Sequence, residues 1–379
     1  MLGSFGGSFF VGELYGGVSG IGRVSIAGDL LTSDTEPGEA VNFLVIGLDS
    51  SEGLDPDDPA ARAFDPRGTA NADSIAIVRV DPTNARASVL SIPRDLFVDI
   101  PGAVNDDLKI NAASLFGAST LVETVSSNFG IEINHFIQVD FLAFRDIVDV
   151  LGGVPLWFPN QARDNRPHRD ALVIDTPGCV VLDGSTALSF VRARRYQEFV
   201  DGQWQYVGNS DFGRIERQQL FVAAALDRAV ARGARNLTAM SSLIESASQS
   251  VVLDQALTPA ELIDLASAFT NFSSDSLQTF SPAVVDFTTE RGVQGLLLAE
   301  PLDSEVFELF RGAEPESTSV ATTTVPESTT SSLPEQSTTT EPDQTTVAPT
   351  STVTTVPPVT TTTVAVGPSQ VPDGVTCSG

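Results

Sequence analysis

The run Val41-Asn42-Phe43-Leu44-Val45-Ile46-Gly47 constrains the fold more than any other segment. It is almost continuously apolar, with no alternation of polar and apolar positions. A strand of that composition must be covered on both faces. Ser74–Val80 and Ala87–Ile92 read as two further strands, and Asp81-Pro82-Thr83-Asn84 between them reads as the turn of a hairpin. Downstream the apolar period changes. Leu121, Val125 and Phe129 recur at i, i+4 and i+8, which predicts a helix over Ala112–Asn128. A second helix is expected over Phe141–Leu151, burying Phe144, Ile147, Val148 and Leu151 and stopping at Gly152-Gly153. Phe136–Val139 and Val154–Phe158 read as short strands. Asp183–Phe190 reads as a short helix and Phe212–Ala231 as a long one, with more helices near 236–249 and 258–269. Strands interleaved with helices predict an α/β sheet layered between helices.

Composition divides the chain into three parts. Residues 1–39 form a lead-in whose apolar Phe9, Phe10, Val11, Leu14 and Tyr15 are interrupted by Glu13 and glycines. That stretch is too short and broken for a membrane span, and it lacks the basic start of a signal peptide. Residues 40–312 carry the patterned elements. Residues 313–379 are Thr, Ser, Pro and Val with seven acids and no Lys or Arg, a composition expected to stay disordered. An extracellular stalk, sometimes O-glycosylated, and an unmodified spacer are both open readings of it. The net charge of −28 excludes nucleic acid as an expected partner. Among the basic residues Arg outnumbers Lys twenty to one, the single lysine being Lys109. That bias either reflects genome composition or suits bidentate phosphate contacts. Cys179 and Cys377 match no metal spacing; a disulfide tying the tail to the domain is open to them in an oxidising compartment.

Against this acidic background the arginines cluster. Asp49 follows the first strand directly and Asp73 immediately precedes the second. If the strands are neighbours, both carboxylates lie at one end of the sheet, where ligands of α/β proteins often bind. They would then hold a hard divalent cation, Mg²⁺ or Mn²⁺, together with ligand phosphate oxygens; the alternative is that each caps a turn. Arg94, in Ser91-Ile92-Pro93-Arg94-Asp95, sits just past a strand and is open to phosphate binding or to a structural ion pair. Arg214, Arg217 and Gln218 share one face of the first helical turn after Asp211 and Gly213, a place that already favours anions. A salt bridge to Glu216 or Asp211 is the competing reading. Arg192 and Arg194 would point the same way in an extended stretch. Together these groups suggest a diphosphate site. His135 and His168 are isolated, and no GxxxxGK loop occurs.

These motifs, in this order, resemble the LytR–CpsA–Psr family of bacterial cell-wall enzymes. The resemblance runs over about residues 40–312. It is carried by Asn42–Ser50, Ala72-Asp73-Ser74, Ser91–Asp95, Lys109–Ala113, Val139-Asp140-Phe141, Val150–Val154, Leu182-Asp183-Gly184, Val191–Arg194 and Asp211–Gln218. It implies a mixed central β-sheet layered between helices. It also implies transfer of a glycopolymer from a polyprenyl-pyrophosphate carrier to a peptidoglycan hydroxyl, typically the C6 hydroxyl of N-acetylmuramic acid, forming a phosphodiester. Carried over residue by residue, Asp49 and Asp73 would hold Mg²⁺, and Arg94, Arg192, Arg194 and Arg214 would bind the pyrophosphate. Lys109, Asp211, Arg217 and Gln218 would line or support that site. Asp95 or Asp211 would orient or deprotonate the acceptor hydroxyl, and the polyprenyl chain would fill an apolar pocket between sheet and helices. The family places such proteins on the extracytoplasmic face of the plasma membrane, in contact with lipid, behind an N-terminal anchor expected upstream of Met1. Two positions depart from the family pattern: Ser51 and Asn71 stand where arginine is frequent, with Arg62 or Arg67 as candidate replacements. Hydrolysis of the same diphosphate, or non-catalytic polyprenyl-phosphate binding, are the rival activities. The tail and the arginine usage fit a high-GC actinobacterial setting.

Overall fold

The structure is a computed structural model. It describes residues 21–32, 38–50, 58, 71–105, 107–166, 171–208, 211–232, 251–258, 261–262, 276–299, 301–302, 304–312, 369–375 and 377. The predicted helices near 236–249 and 258–269 lie outside the described residues, apart from residues 258, 261 and 262. So do His168, Ser51, Arg62, Arg67, the first 20 residues and most of the tail.

A seven-stranded mixed sheet organises the body. Its strands, in chain order, are β1 (Gly22–Val24), β2 (Val41–Leu48), β3 (Ala72–Asp81), β4 (Arg86–Ile92), β5 (His135–Val139), β12 (Val251–Asp254) and β13 (Leu277–Phe280), and their spatial order is β1-β12-β5-β2-β3-β4-β13. β2 pairs antiparallel with β3 and parallel with β5, while β3 and β4 form the expected hairpin. The apolar run is therefore a central strand, as its composition demands. Leu44 and Ile46 enter one core with Ile75, Ile77, Leu90 and Ile92. That core packs against α1 (Ala118–Phe129) and α5 (Glu305–Arg311), whose Phe129 and Phe307 rings stack 5.7 Å apart. Phe43 and Val45 face the other side, where a smaller cluster with Val80 and Leu253 forms.

The second layer comprises α2 (Phe141–Val150), α3 (Gly184–Arg192) and α4 (Asp211–Ala231). Asp140 caps α2 by accepting from the Ala143 N–H at 2.8 Å, and Asp183 caps α3 through the Thr186 N–H at 2.8 Å. Gly184 lets α3 press onto α2: a Cβ there would stand 2.5 Å from the Arg145 carbonyl oxygen. Beneath these helices lie the antiparallel pair β6 (Val154–Phe158) and β9 (Gly178–Leu182) and a four-stranded sheet. That sheet is ordered β11-β10-β7-β8, from β7 (Ala162–Asp164), β8 (Val173–Ile174), β10 (Tyr196–Val200) and β11 (Gln203–Tyr206). A last hairpin, β14 (Val284–Thr288) with β15 (Gln294–Leu298), flanks the main sheet.

Three expectations need correcting. The predicted helix over Ala112–Asn128 is two elements, a 3-10 helix over Ile110–Phe116 and then α1, because Gly117 takes φ 104° between them. Asp73 lies inside β3 rather than before it, since the strand starts at Ala72. Arg192 closes α3 instead of lying in an extended stretch. The far C-terminus also rejoins the body. Ser369 exchanges two backbone hydrogen bonds of 2.9 Å with Trp157, and Cys377 is disulfide-bonded to Cys179 in β9.

Candidate functional site

The sheet topology alone gathers the acidic and basic residues at one end. β2, β4 and β5 all finish there and β3 starts there, because β2 and β5 are parallel and both β2 and β4 run opposite to β3. Asp49, Asp73, Arg94 and Asp140 therefore converge on that end although nearly a hundred residues separate the first from the last. A local irregularity refines the placement. Gly47 pairs with Ser74 but Leu48 pairs with Ala72, so Asp73 is the extra residue of a β-bulge. Bulges redirect the side chain they carry, and this one sits where Asp73 meets the arginines.

Asp73 is their hub. One of its carboxylate oxygens accepts from Arg94 Nη1, the other from Arg194 Nη2 at 3.1 Å, and its backbone carbonyl accepts from Arg214 Nη2 at 3.3 Å. Arg192 Nη2 stands 3.6 Å from Asp49 Oδ1, and its guanidinium lies 4.1 Å over the Phe141 ring. The structure thus brings together Asp49, Asp73, Arg94, Arg192, Arg194 and Arg214 from five elements.

The supporting residues have different duties. Arg217 is only 5 % exposed and donates to the Ala193 carbonyl and, at 3.4 Å, to that of Gly208, with Tyr196 stacked 4.9 Å away. Burial lowers its guanidinium to about 10. Gln218 donates to the Val191 carbonyl at 3.2 Å. Both hold the end of α3, which fixes Arg192 and Arg194; Arg217 does not line the cavity described below, whereas Gln218 does. Lys109 pairs with Asp95 at 2.7 Å, and Arg94 Nε stands 3.4 Å from the same carboxylate. Asp95 is thereby shared between two cations, which makes it a brace for Arg94 rather than an available base. The side chain of Asp211 lies outside the described residues.

The charged end opens onto a cavity of about 500 Å³. Its walls are Val45, Ala76, Val78 and Val89 from the sheet and Phe141, Phe144, Leu188, Val191 and Phe221 from the helices. Gly47 and Ser74 keep the polar end open, because they place little bulk on that sheet face. The site therefore offers a guanidinium cluster at one end and a slot for hydrocarbon at the other, suited to an amphiphile with an anionic head. Arg166, which the sequence did not single out, also lines this cavity. Its only sequence signal is the Arg- and Asp-rich stretch around it, Arg163-Asp164-Asn165-Arg166-Pro167-His168-Arg169-Asp170.

Among the described residues no three His, Cys, Asp or Glu side chains converge, so Asp49 and Asp73 are the carboxylates these residues offer a cation at the site. The pair nonetheless suits one. Asp49 Oδ1 is buried without a hydrogen-bond partner among the described residues. The Asp49 carboxyl is raised above its usual range by burial and then by the neighbouring Asp73, against the pull of Arg192, Arg194 and Arg94. A hard cation would relieve both the burial and the repulsion, with phosphate oxygens and water completing its shell.

Comparison with known proteins gives the chain relatives and a fold family. Over 216 residues the chain is 31% identical to the polyisoprenyl-teichoic acid–peptidoglycan teichoic acid transferase TagV of Bacillus subtilis, covering 55% of this chain and 51% of that protein. It is 27% identical over 210 residues to the enzyme of the same description, TagU, from Enterococcus faecalis, covering 55% and 63%. The chain thus spans between half and two thirds of these relatives' length. The solved LytR-Csp2A-Psr enzyme from Actinomyces oris superposes with a TM-score of 0.57 at 20% identity, over 76% of this chain and 95% of that one. B. subtilis TagV superposes with a TM-score of 0.55 at 24% identity, over 74% and 100%. These two share the mixed sheet layered with helices. The profile of the LytR_cpsA_psr family matches residues 23–307, which takes in every site residue named above, and the chain belongs to that family.

Proposed function

We propose that the protein transfers a glycopolymer from a polyprenyl-pyrophosphate carrier to a peptidoglycan hydroxyl, the C6 hydroxyl of N-acetylmuramic acid. One observation carries this reading. Arg192, Arg194 and Arg214 line the mouth of an apolar cavity together with Asp49 and Asp73, and Arg94 pairs with the Asp73 carboxylate. A diphosphate joined to a hydrocarbon chain needs that combination, and a soluble phosphate ester has no use for the apolar half. The relatives named as polyisoprenyl-teichoic acid–peptidoglycan teichoic acid transferases support a polyprenyl-linked glycopolymer as the donor.

In this reading the acceptor hydroxyl oxygen forms a bond to the phosphorus that carries the glycan. The bond from that phosphorus to the bridging oxygen breaks, and polyprenyl phosphate departs with the electron pair. The arginines orient the diphosphate and stabilise the charge that grows on the leaving phosphate. Asp49 and Asp73 would hold Mg²⁺ or Mn²⁺, which supplies further charge neutralisation when bound. Asp211 is the remaining candidate to take the hydroxyl proton, because Asp95 is committed to Lys109 and Arg94. The Cys179–Cys377 disulfide supports a setting outside the cytoplasm, and the polyprenyl carrier of this reading would put the protein at the cell envelope beside membrane lipid.

The test incubates the protein with lipid-linked oligosaccharide, peptidoglycan oligomers and Mg²⁺. Linked product is expected. Arg94→Ala or Arg194→Ala should lose roughly tenfold to a hundredfold in rate, since each charge-assisted hydrogen bond contributes about 1.5–3 kcal/mol. Phosphate release independent of acceptor would replace this reading with a hydrolase, and lipid binding without turnover would replace it with a carrier-binding protein.

A further inference from the structure

Arg166 stands just beyond β7, on a different layer from the sheet that bears Asp49 and Asp73, yet it lines the same cavity as Arg192, Arg194 and Arg214. Its position is built rather than incidental. Asp164, whose side chain is fully buried, accepts from Arg166 Nε with one carboxylate oxygen. The other oxygen accepts from the Arg195 N–H at 3.2 Å, and the Asn165 N–H donates to the Arg195 carbonyl at 2.9 Å. The turn that carries Arg166 is therefore stitched to the residue after Arg194, whose guanidinium reaches Asp73.

Asp164 uses only the Nε edge of the guanidinium. Arg166 Nη2 is buried and has no hydrogen-bond partner among the described residues. A buried guanidinium N–H without an acceptor is unfavourable and rare unless a ligand supplies the acceptor. The cavity it borders is where the anionic head of the donor would lie. Arg166 therefore adds to the cavity a cation from outside the main sheet and the helices that bear Arg192 and Arg214.

Resting on the transferase reading, we propose that Arg166 is a further diphosphate-binding residue, aimed by Asp164 so that its free Nη2 edge grips an oxygen of the donor's diphosphate. Asp164 is its positioning residue. Because that carboxylate neutralises part of the charge, Arg166 discriminates by geometry: it rewards a diphosphate long enough to reach from Arg194 to the β7 side and gives little to a monophosphate.

The experiment measures binding of geranylgeranyl pyrophosphate and geranylgeranyl monophosphate, with Mg²⁺, to the full chain and to Arg166→Gln, Arg166→Lys and Arg194→Ala. Arg166→Gln should weaken pyrophosphate binding roughly tenfold to a hundredfold and monophosphate binding by less than threefold. Arg166→Lys should fall between Arg166→Gln and wild type, since it keeps the charge opposite Asp164 but loses the fork; it also serves if the glutamine variant fails to fold. Wild-type pyrophosphate affinity in Arg166→Lys and in any folded Arg166→Gln, with Arg194→Ala weakened, makes Arg166 a structural ion pair and overturns the proposal while leaving the transferase reading in place. Equal weakening toward both ligands overturns the claim of diphosphate selectivity. Unchanged affinity in all three variants removes the transferase reading as well.

Discussion

The Cys179–Cys377 cross-link closes a loop across a sequence separation of 198 residues, and its removal is the perturbation whose size is best set by the structure. In the chain-entropy description, closing a loop of that length removes unfolded-state freedom equivalent to about 5 kcal/mol at 25 °C, an upper bound beside the ~2–4 kcal/mol usually measured. For a domain of this size each kcal/mol moves the melting temperature by about 2 °C, so Cys377→Ser is expected to lower it by roughly 4–10 °C. Differential scanning calorimetry of the oxidised wild type and the variant reads this directly. A second arm separates loop entropy from local contact. A protease site placed within residues 313–368 allows the chain to be nicked while the disulfide stays intact. The nick opens the loop without touching the Ser369–Trp157 hydrogen bonds. The nicked, oxidised protein should melt with Cys377→Ser. If it melts with the intact wild type instead, the entropic reasoning is refuted and contacts around Trp157 carry the effect.

Three further outcomes follow from the site. Asp49→Asn should melt above wild type at neutral pH in metal-free buffer, because the folded state holds the Asp49 carboxyl above its unfolded range. The ionised group therefore costs stability above that raised value and the cost fades as pH falls through it, so the gap should close on acidification; a pH-independent gap would contradict this, and donor turnover should be lost throughout. Arg217→Met should lower kcat/KM for the donor at least tenfold by releasing the Ala193 and Gly208 carbonyls that hold Arg192 and Arg194 in place. Partial rescue by Arg217→Lys is expected, and wild-type kinetics in a folded Arg217→Met would sink the positioning role. Gly47→Val should weaken geranylgeranyl pyrophosphate and inorganic pyrophosphate alike, because even a Cβ at Gly47 would stand 3.0 Å from that of Ser74 at the polar end of the cavity; wild-type affinity for inorganic pyrophosphate in the folded variant would show that Gly47 does not keep that end open.

The central strands were readable because local composition and global role coincide: a run such as Phe43–Gly47 has no other stable place than the middle of a covered sheet. The same holds for α2, whose apolar stripe and Gly152-Gly153 stop are both local signals. What escaped was set by tertiary context. Nothing in Ala72-Asp73-Ser74 announces a bulge, which exists only relative to the register of β2. Arg192 and Arg194 look alike in sequence, yet one ends a helix and the other follows its extended cap. Arg217 reads as an anion ligand until Ala193 and Gly208 are found within its reach. One miss had a usable signal: Asp201-Gly202, with φ 52° and 78°, makes the tight turn between β10 and β11 that such a dipeptide favours. The short strands β7, β8 and β9 had none: β8 is only two residues long, and β7 and β9 find β10 and β6 across intervening chain.

The size of the cavity bears on where catalysis can take place. At about 500 Å³ it falls within the ~300–1,000 Å³ typical of small-molecule pockets. On the transferase reading it therefore accommodates the first few isoprene units of a carrier and leaves the rest outside. A long polyprenol would keep most of its length in the bilayer while its head is gripped by the arginines. The substrate itself then moors the enzyme to the lipid surface during turnover, and the apolar end of the cavity, rather than the end bearing Asp49 and Asp73, must lie toward that surface for each encounter.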